Sequence, residues 1–131
     1  MIFVITQEVI NMAIGKATED SEHALFDLES YELYRADAEV PAAVSGEMLL
    51  SFPSVRQVDI QRAYVDHLNN RSISNQFRNL SDDAFWHRFW KVFDDDGFWA
   101  SEYRKYEEAF YVQTVTDWCE SNGIAYRLAI R

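Results

Sequence analysis

The chain has 131 residues, 48% hydrophobic and 15% aromatic, enough apolar surface for one self-folding core and too much for a disordered segment. Twelve Lys and Arg against 22 Asp and Glu leave a formal charge of −10, which repels phosphate backbones and argues against direct nucleic-acid binding. The longest purely apolar run, Met1 to Ile5, falls far short of the ~20 residues that cross a bilayer, and no basic segment precedes an apolar stretch as a secretory signal requires. No repeat or Pro/Gly-rich linker divides the chain, so residues 1–131 read as a single α+β domain.

Taken in chain order, Thr6 is placed to cap a short amphipathic helix over Thr6 to Lys16, with Glu8 in its first turn and Val9, Ile10, Ala13 and Ile14 along one stripe. Ala24 to Leu28 and Tyr31 to Ala36 flank a short polar break and predict a β-hairpin in a small antiparallel sheet. Its turn residues are poor at positive φ and leave the register open. A two-residue turn at Glu29 and Ser30 sets Asp27 opposite Glu32; a turn at Ser30 and Tyr31 sets Glu29 opposite Glu32. Met48 to Phe52 reads as a further strand that Pro53 ends. A helix then starts near Asp59, carries Ile60, Tyr64 and Leu68 at fourfold spacing, and breaks at Asn69 and Asn70.

The second half is mainly helical. Ser81 caps a helix whose Phe85, Trp86, Phe89, Trp90 and Phe93 make one broad aromatic face. Gly97 reads as a left-handed cap, and a longer helix runs from about Trp99 to Ser121 until Asn122 and Gly123 stop it. Trp99, Tyr103, Tyr106, Phe110 and Trp118 lie close to one line on it, so the two helices are expected to pack antiparallel as an aromatic pair. Ile124 to Ile130 alternates loosely, as an edge strand does.

Familiar chemistries find little support. Asp94, Asp95, Asp96 and Gly97 look like half of a calcium loop, but the frame puts Val92 first and Tyr103 twelfth, where carboxylates belong. A turn, with Asp95 or Asp96 starting the next helix, fits better. Cys119, near the end of a long helix, faces the negative end of its dipole and reads as a packed thiol rather than a nucleophile. As the lone cysteine it excludes an internal disulfide, which is compatible with the cytoplasm. His23, His67 and His87 lack helical metal-pair spacing, and no phosphate loop, nucleophile elbow or paired-carboxylate motif occurs. No metal or cofactor is expected, and no catalytic residue is assigned.

Two charged groups remain. His87, Arg88 and Lys91 share the polar side of the aromatic helix, and with Arg104 and Lys105 on the next helix they form a candidate site for a carboxylate or phosphate. Ordinary pairing with Asp94, Glu107 and Glu108 is the plainer account. The other group is acidic. Residues 1–50 hold two basic and ten acidic side chains, net −8, and Glu19, Asp20, Glu22, Asp27, Glu29, Glu32, Asp37 and Glu39 collect in and around the hairpin.

Several segments resemble a bacterial family known only as uncharacterised protein family 0158. Trp86, His87, Arg88 and Phe89 look like its aromatic-Arg-Arg-Phe element, and Gly97 falls where its interhelical glycine stands. Tyr103 and Tyr106 match its aromatic pair, and residues 118–124 are similar to its Trp-Leu-Glu-Glu-Asn-Gly-Ile ending. Phe26 to Glu29 with Glu32 resemble its hairpin, and Phe52, Pro53, Asp59 and Tyr64 its middle segment. His87 replaces an arginine, Ser30 and Tyr31 stand in place of a Thr-Gly turn, and Cys119 replaces a leucine. The resemblance implies architecture and brings no activity.

The expected function is therefore recognition: an acidic module that binds, and regulates or inhibits, a basic protein or nucleic-acid-handling partner, in the manner of antitoxin, immunity or anti-defence proteins, including those whose carboxylates mimic a nucleic-acid phosphate surface. The alternatives are an enzyme or small-ligand protein using the His87, Arg88 and Lys91 side, and a structural domain without a specific charged partner.

Overall fold

The computed structural model describes residues 1–35, 37–41, 44–93 and 97–130. Phe3 and Ile5 are buried while Val4 between them is half-buried, the period-2 pattern of a strand with one face in the core. This strand, β1 (Phe3–Ile5), pairs in parallel with β5 (Tyr126–Leu128), setting Phe3 opposite Tyr126 and Ile5 opposite Leu128. A second, antiparallel sheet holds β2 (Leu25–Asp27), β3 (Leu33–Tyr34) and β4 (Leu49–Ser51) in the order β3-β2-β4. The chain is an α+β protein, with its small antiparallel sheet in the first half and an aromatic helix cluster in the second.

Thr6 caps the first helix by accepting from the Val9 amide, but α1 (Gln7–Asn11) is shorter than the stripe through Ile14 suggests. The reason lies far along the chain. Gly15 N–H donates to the Val55 carbonyl and Val55 N–H to the Ala13 carbonyl, so the backbone after Met12 joins a bridge instead of another helical turn. Gly15 suits that approach, since a Cβ there would sit 2.7 Å from the Val55 carbonyl oxygen.

The hairpin takes the register that opposes Asp27 to Glu32: Leu25 pairs with Tyr34, Phe26 with Leu33, and Asp27 N–H donates to the Glu32 carbonyl. The connection is a four-residue loop over 28–31, not a two-residue turn. Tyr31 adopts φ 61° and donates its N–H to the Asp27 carbonyl, so a side chain expected to resist that conformation accepts it. The paired part of the second strand stops at Tyr34, and Ala36 lies outside the described residues.

α2 (Gln57–Leu68) ends where Asn69 turns left-handed at φ 49°, a conformation asparagine tolerates well. Asn70 then caps α3 (Arg71–Ser74), which runs into one tight turn, Asn75–Phe77, that inserts Phe77 into the core. Ser81 caps α4 (Asp82–Val92) by accepting from the Ala84 amide. α5 (Phe98–Ser121) spans about 36 Å at 1.5 Å per residue and ends at Gly123, φ 67°. Gly97 is extended, φ −95° and ψ 179°, and begins α5 rather than forming a left-handed cap. Asp94, Asp95 and Asp96 lie outside the described residues.

Rings dominate the helical core. Phe89 meets Tyr103 at 4.7 Å and Phe93 meets Trp99 at 6.2 Å, so advancing along α4 moves backwards along α5, and the pair is antiparallel. The pair does not close on itself. Tyr64 of α2 sits against Phe89, Phe93, Tyr103 and Tyr106 at 5.2 to 6.2 Å, making the core a three-helix junction. The expected single aromatic line on α5 also divides. Trp118 serves the antiparallel sheet, edge-on to Phe26 and Phe52 at 5.2 and 5.1 Å, and donates its indole N–H to the Ser51 carbonyl. α5 thereby joins the two halves of the molecule.

Candidate binding surfaces

The acidic residues of the first half fall into two groups. Asp27, 3% exposed, turns back on its own loop: Oδ1 accepts from Glu29 N–H at 2.9 Å and Oδ2 from the Ser30 hydroxyl at 2.8 Å. Those hydrogen bonds hold its carboxyl below the ordinary range and keep its charge out of conflict with the opposing Glu32. Glu32 accepts from the Tyr34 hydroxyl at 2.8 Å, and Glu19 lies 3.8 Å from Lys16 with both side chains open to solvent. The second group is unneutralised. Asp20, Glu22, Glu29, Asp37 and Glu39 are exposed and hold no ion pair with a described residue. Glu8 and Glu22, with Arg35, line an open groove of about 810 Å³ between α1 and β3 that also touches Met12, Ile14 and Leu33.

The basic candidates do not share one cleft. His87, Arg88 and Lys91 are exposed along α4, and His87 directs Nδ1 to the Asp83 carbonyl of its own helix at 2.8 Å. Lys105 lies 3.4 Å from Glu102, whereas Arg104 lines a separate cleft beside Trp86 and Trp90. Charge is compensated more fully where α2 meets α4. Asp82 receives Arg56 at 3.0 Å and Arg62 at 2.8 Å, Arg56 also holds Asp59 at 2.9 Å, and the Arg62 guanidinium lies 4.4 Å from the Phe85 ring centre. The two guanidinium groups keep the Asp82 carboxyl below its ordinary range.

The cleft beside Trp86 and Trp90 was not expected. Gln57, Trp86, Trp90, Tyr103, Arg104 and Glu107 enclose about 360 Å³ where α2, α4 and α5 meet. Trp86 donates its indole N–H to Gln57 Oε1 at 2.7 Å, and Gln57 Nε2 donates to Glu107 Oε2 at 3.2 Å. Two buried polar side chains of the same helices are poorly satisfied. Gln61 and Tyr103 are both 0% exposed; neither amide atom of Gln61 makes a hydrogen bond, and the Tyr103 hydroxyl meets the Glu107 carboxylate without a well-formed one. Burial and the nearby Glu107 carboxylate push the Tyr103 phenol far above its usual range, so it stays protonated. The sequence held a signal for this: Gln57 and Gln61 occupy the row that continues to buried Val65, polar residues in a core stripe.

The remaining candidates stay apart. His23 Nδ1 lies 2.9 Å from the Phe52 carbonyl, and His67 packs its ring 5.2 Å from Tyr106. Cys119 is fully buried and burial pushes its thiol up to about 11. Among the described residues, no three His, Cys, Asp or Glu side chains converge as a metal site, and no helix is long and apolar enough to cross a membrane. No family model, curated protein or solved structure matches the chain.

Proposed function

We propose that the protein is a non-catalytic recognition module of the cytoplasm whose acidic first half binds a basic surface on another protein, regulating or inhibiting a partner that itself handles nucleic acid. One observation carries this reading. Asp20, Glu22, Glu29, Asp37 and Glu39 project into solvent without an ion pair to any described residue, within a stretch of 50 residues of net charge −8. A field of that kind attracts a cationic surface, speeds encounter and repels nucleic acid. Asp27 and Glu32 belong to the support of this face: their carboxylates hold the loop and Tyr34 in place.

Affinity capture from a bacterial lysate tests the proposal, run with the wild type and with a variant carrying D20N, E22Q, E29Q, D37N and E39Q. A basic protein retained by the wild type, released by salt and lost by the variant is the expected result. Retention that is indifferent to both salt and the substitutions, or no retention at all, contradicts charge-led recognition.

A further inference from the structure

We propose that the cleft between α2, α4 and α5 is a second binding site, specific for an alkylammonium group. It shares no residue with the exposed carboxylates of the first 50 positions and does not rest on their role. The walls are aromatic and set at right angles: Trp86 and Trp90 are 6.3 Å apart at 81°, and Trp90 and Tyr103 are 5.9 Å apart at 82°. Ring faces carry negative quadrupole charge, so a corner of rings attracts a cation and shelters its alkyl groups. A carboxylate completes the corner. Glu107 is fixed through Oε2 by Gln57, which in turn holds the Trp86 indole, so wall and carboxylate are positioned by one hydrogen-bonded string.

A second observation points to a ligand independently of the rings. Tyr103 lines this cleft with its hydroxyl shielded from solvent beside the Glu107 carboxylate, without a well-formed hydrogen bond to it, and Gln61, one turn along α2 from Gln57 and outside the cleft lining, leaves both amide atoms unpaired. Buried polar atoms without partners are costly, and a bound donor or acceptor removes that cost. The Glu107 carboxylate on the cleft wall is an acceptor, which an ammonium N–H satisfies. About 360 Å³ accommodates such a head group with several methylenes of its chain. Arg104 lines the same cleft, which makes an anion the competing occupant.

The full chain is titrated with n-butylammonium chloride, with sodium phosphate, and with sodium chloride as the ionic-strength control, while the tryptophan indole N–H resonances are followed by NMR. Saturable shifts of the Trp86 and Trp90 signals with n-butylammonium alone are expected. Glu107→Gln, which keeps the Gln57 contact, is expected to weaken binding at least about tenfold by removing the charge while the melting temperature holds. Trp86→Phe weakens it as well and serves as the second variant should Glu107→Gln fail to fold. A peptide with one internal lysine identifies the source: tighter binding than n-butylammonium assigns the site to a protein side chain, and equal or weaker binding to a free amine. Shifts with phosphate only, no saturable shift with the amine, or undiminished affinity in the folded variant would overturn the assignment.

Discussion

The α2–α4 contact and the first 50 residues manage charge in opposite ways. Where α2 meets α4, Arg56 and Arg62 converge on Asp82, Arg56 also grips Asp59, and Arg62 lies over Phe85, so cations, carboxylates and rings form one interlocked unit. Around the hairpin, ten acidic residues share the first 50 positions with only Lys16 and Arg35, and the one carboxylate buried there, Asp27, is satisfied by backbone and hydroxyl rather than by a cation. At the α2–α4 contact charge serves folding; among the first 50 residues most of it is left facing water, as it also is at Arg71, Arg78, Arg88, Lys91 and Arg127. Exposed ion pairs contribute little stability, so the missing pairs cost the fold little while leaving a field for a partner to meet.

The comparison breaks most readily at the ring junction. Phe89 is fully buried against Tyr64, Phe93, Trp90 and Tyr103, and Phe89→Ala is expected to lower stability by about 3–5 kcal/mol, measured by denaturant unfolding. A smaller loss would mean that the junction of α2, α4 and α5 collapses around the gap. Asp82→Asn comes next, lowering the melting temperature by removing the anion that receives both Arg56 and Arg62. Its pH dependence has a definite sign. The folded carboxyl of Asp82 titrates below the ordinary 3.8, so its contribution is present above that pH and is lost as pH falls through the lower folded value. The wild type should therefore lose more stability than the variant on acidification.

Asp27→Asn sharpens the contrast within the acidic half. It keeps the acceptor for Glu29 N–H and removes a charge that the loop hydrogen bonds hold in its ionised form, so a modest fall in melting temperature at neutral pH is expected, shrinking on the acid side. Neutralising Asp20, Glu22, Glu29, Asp37 and Glu39 together should do least to the fold. Each substitution is expected to change stability by no more than about 0.5 kcal/mol, because none of these groups is buried or ion-paired with a described residue. A marked destabilisation would place these carboxylates among the contacts that hold the fold.

What the sequence disclosed was local. Thr6, Ser81, Asn69 and Gly123 are helix boundaries because their side chains or backbone freedom act within a few residues, and each stands where its chemistry indicates. Phe85, Phe89 and Phe93 are buried as their spacing requires. Features set by distant partners were illegible. α1 stops early because Val55 claims the backbone of Ala13 and Gly15, Trp118 leaves its helical neighbours for Phe26 and Phe52, and β1 finds β5 more than a hundred residues away. The cleft is the same case: Gln57 and Glu107 are separated by 50 positions, and only the crossing of α2 with α5 brings them within hydrogen-bonding distance. Among the charged candidates, periodicity put His87, Arg88 and Lys91 on one exposed helix but could not show that Arg104 lies against Trp86 and Trp90 while Lys105 pairs with Glu102.

The central claim is that the unneutralised carboxylates of the first half form the recognition surface. Amide chemical-shift mapping during titration with an oligolysine peptide tests it most directly. Shifts concentrated in residues 19–39 that reverse on adding salt are the predicted result. Shifts spread evenly over both halves, or centred on α4 and α5, would contradict it.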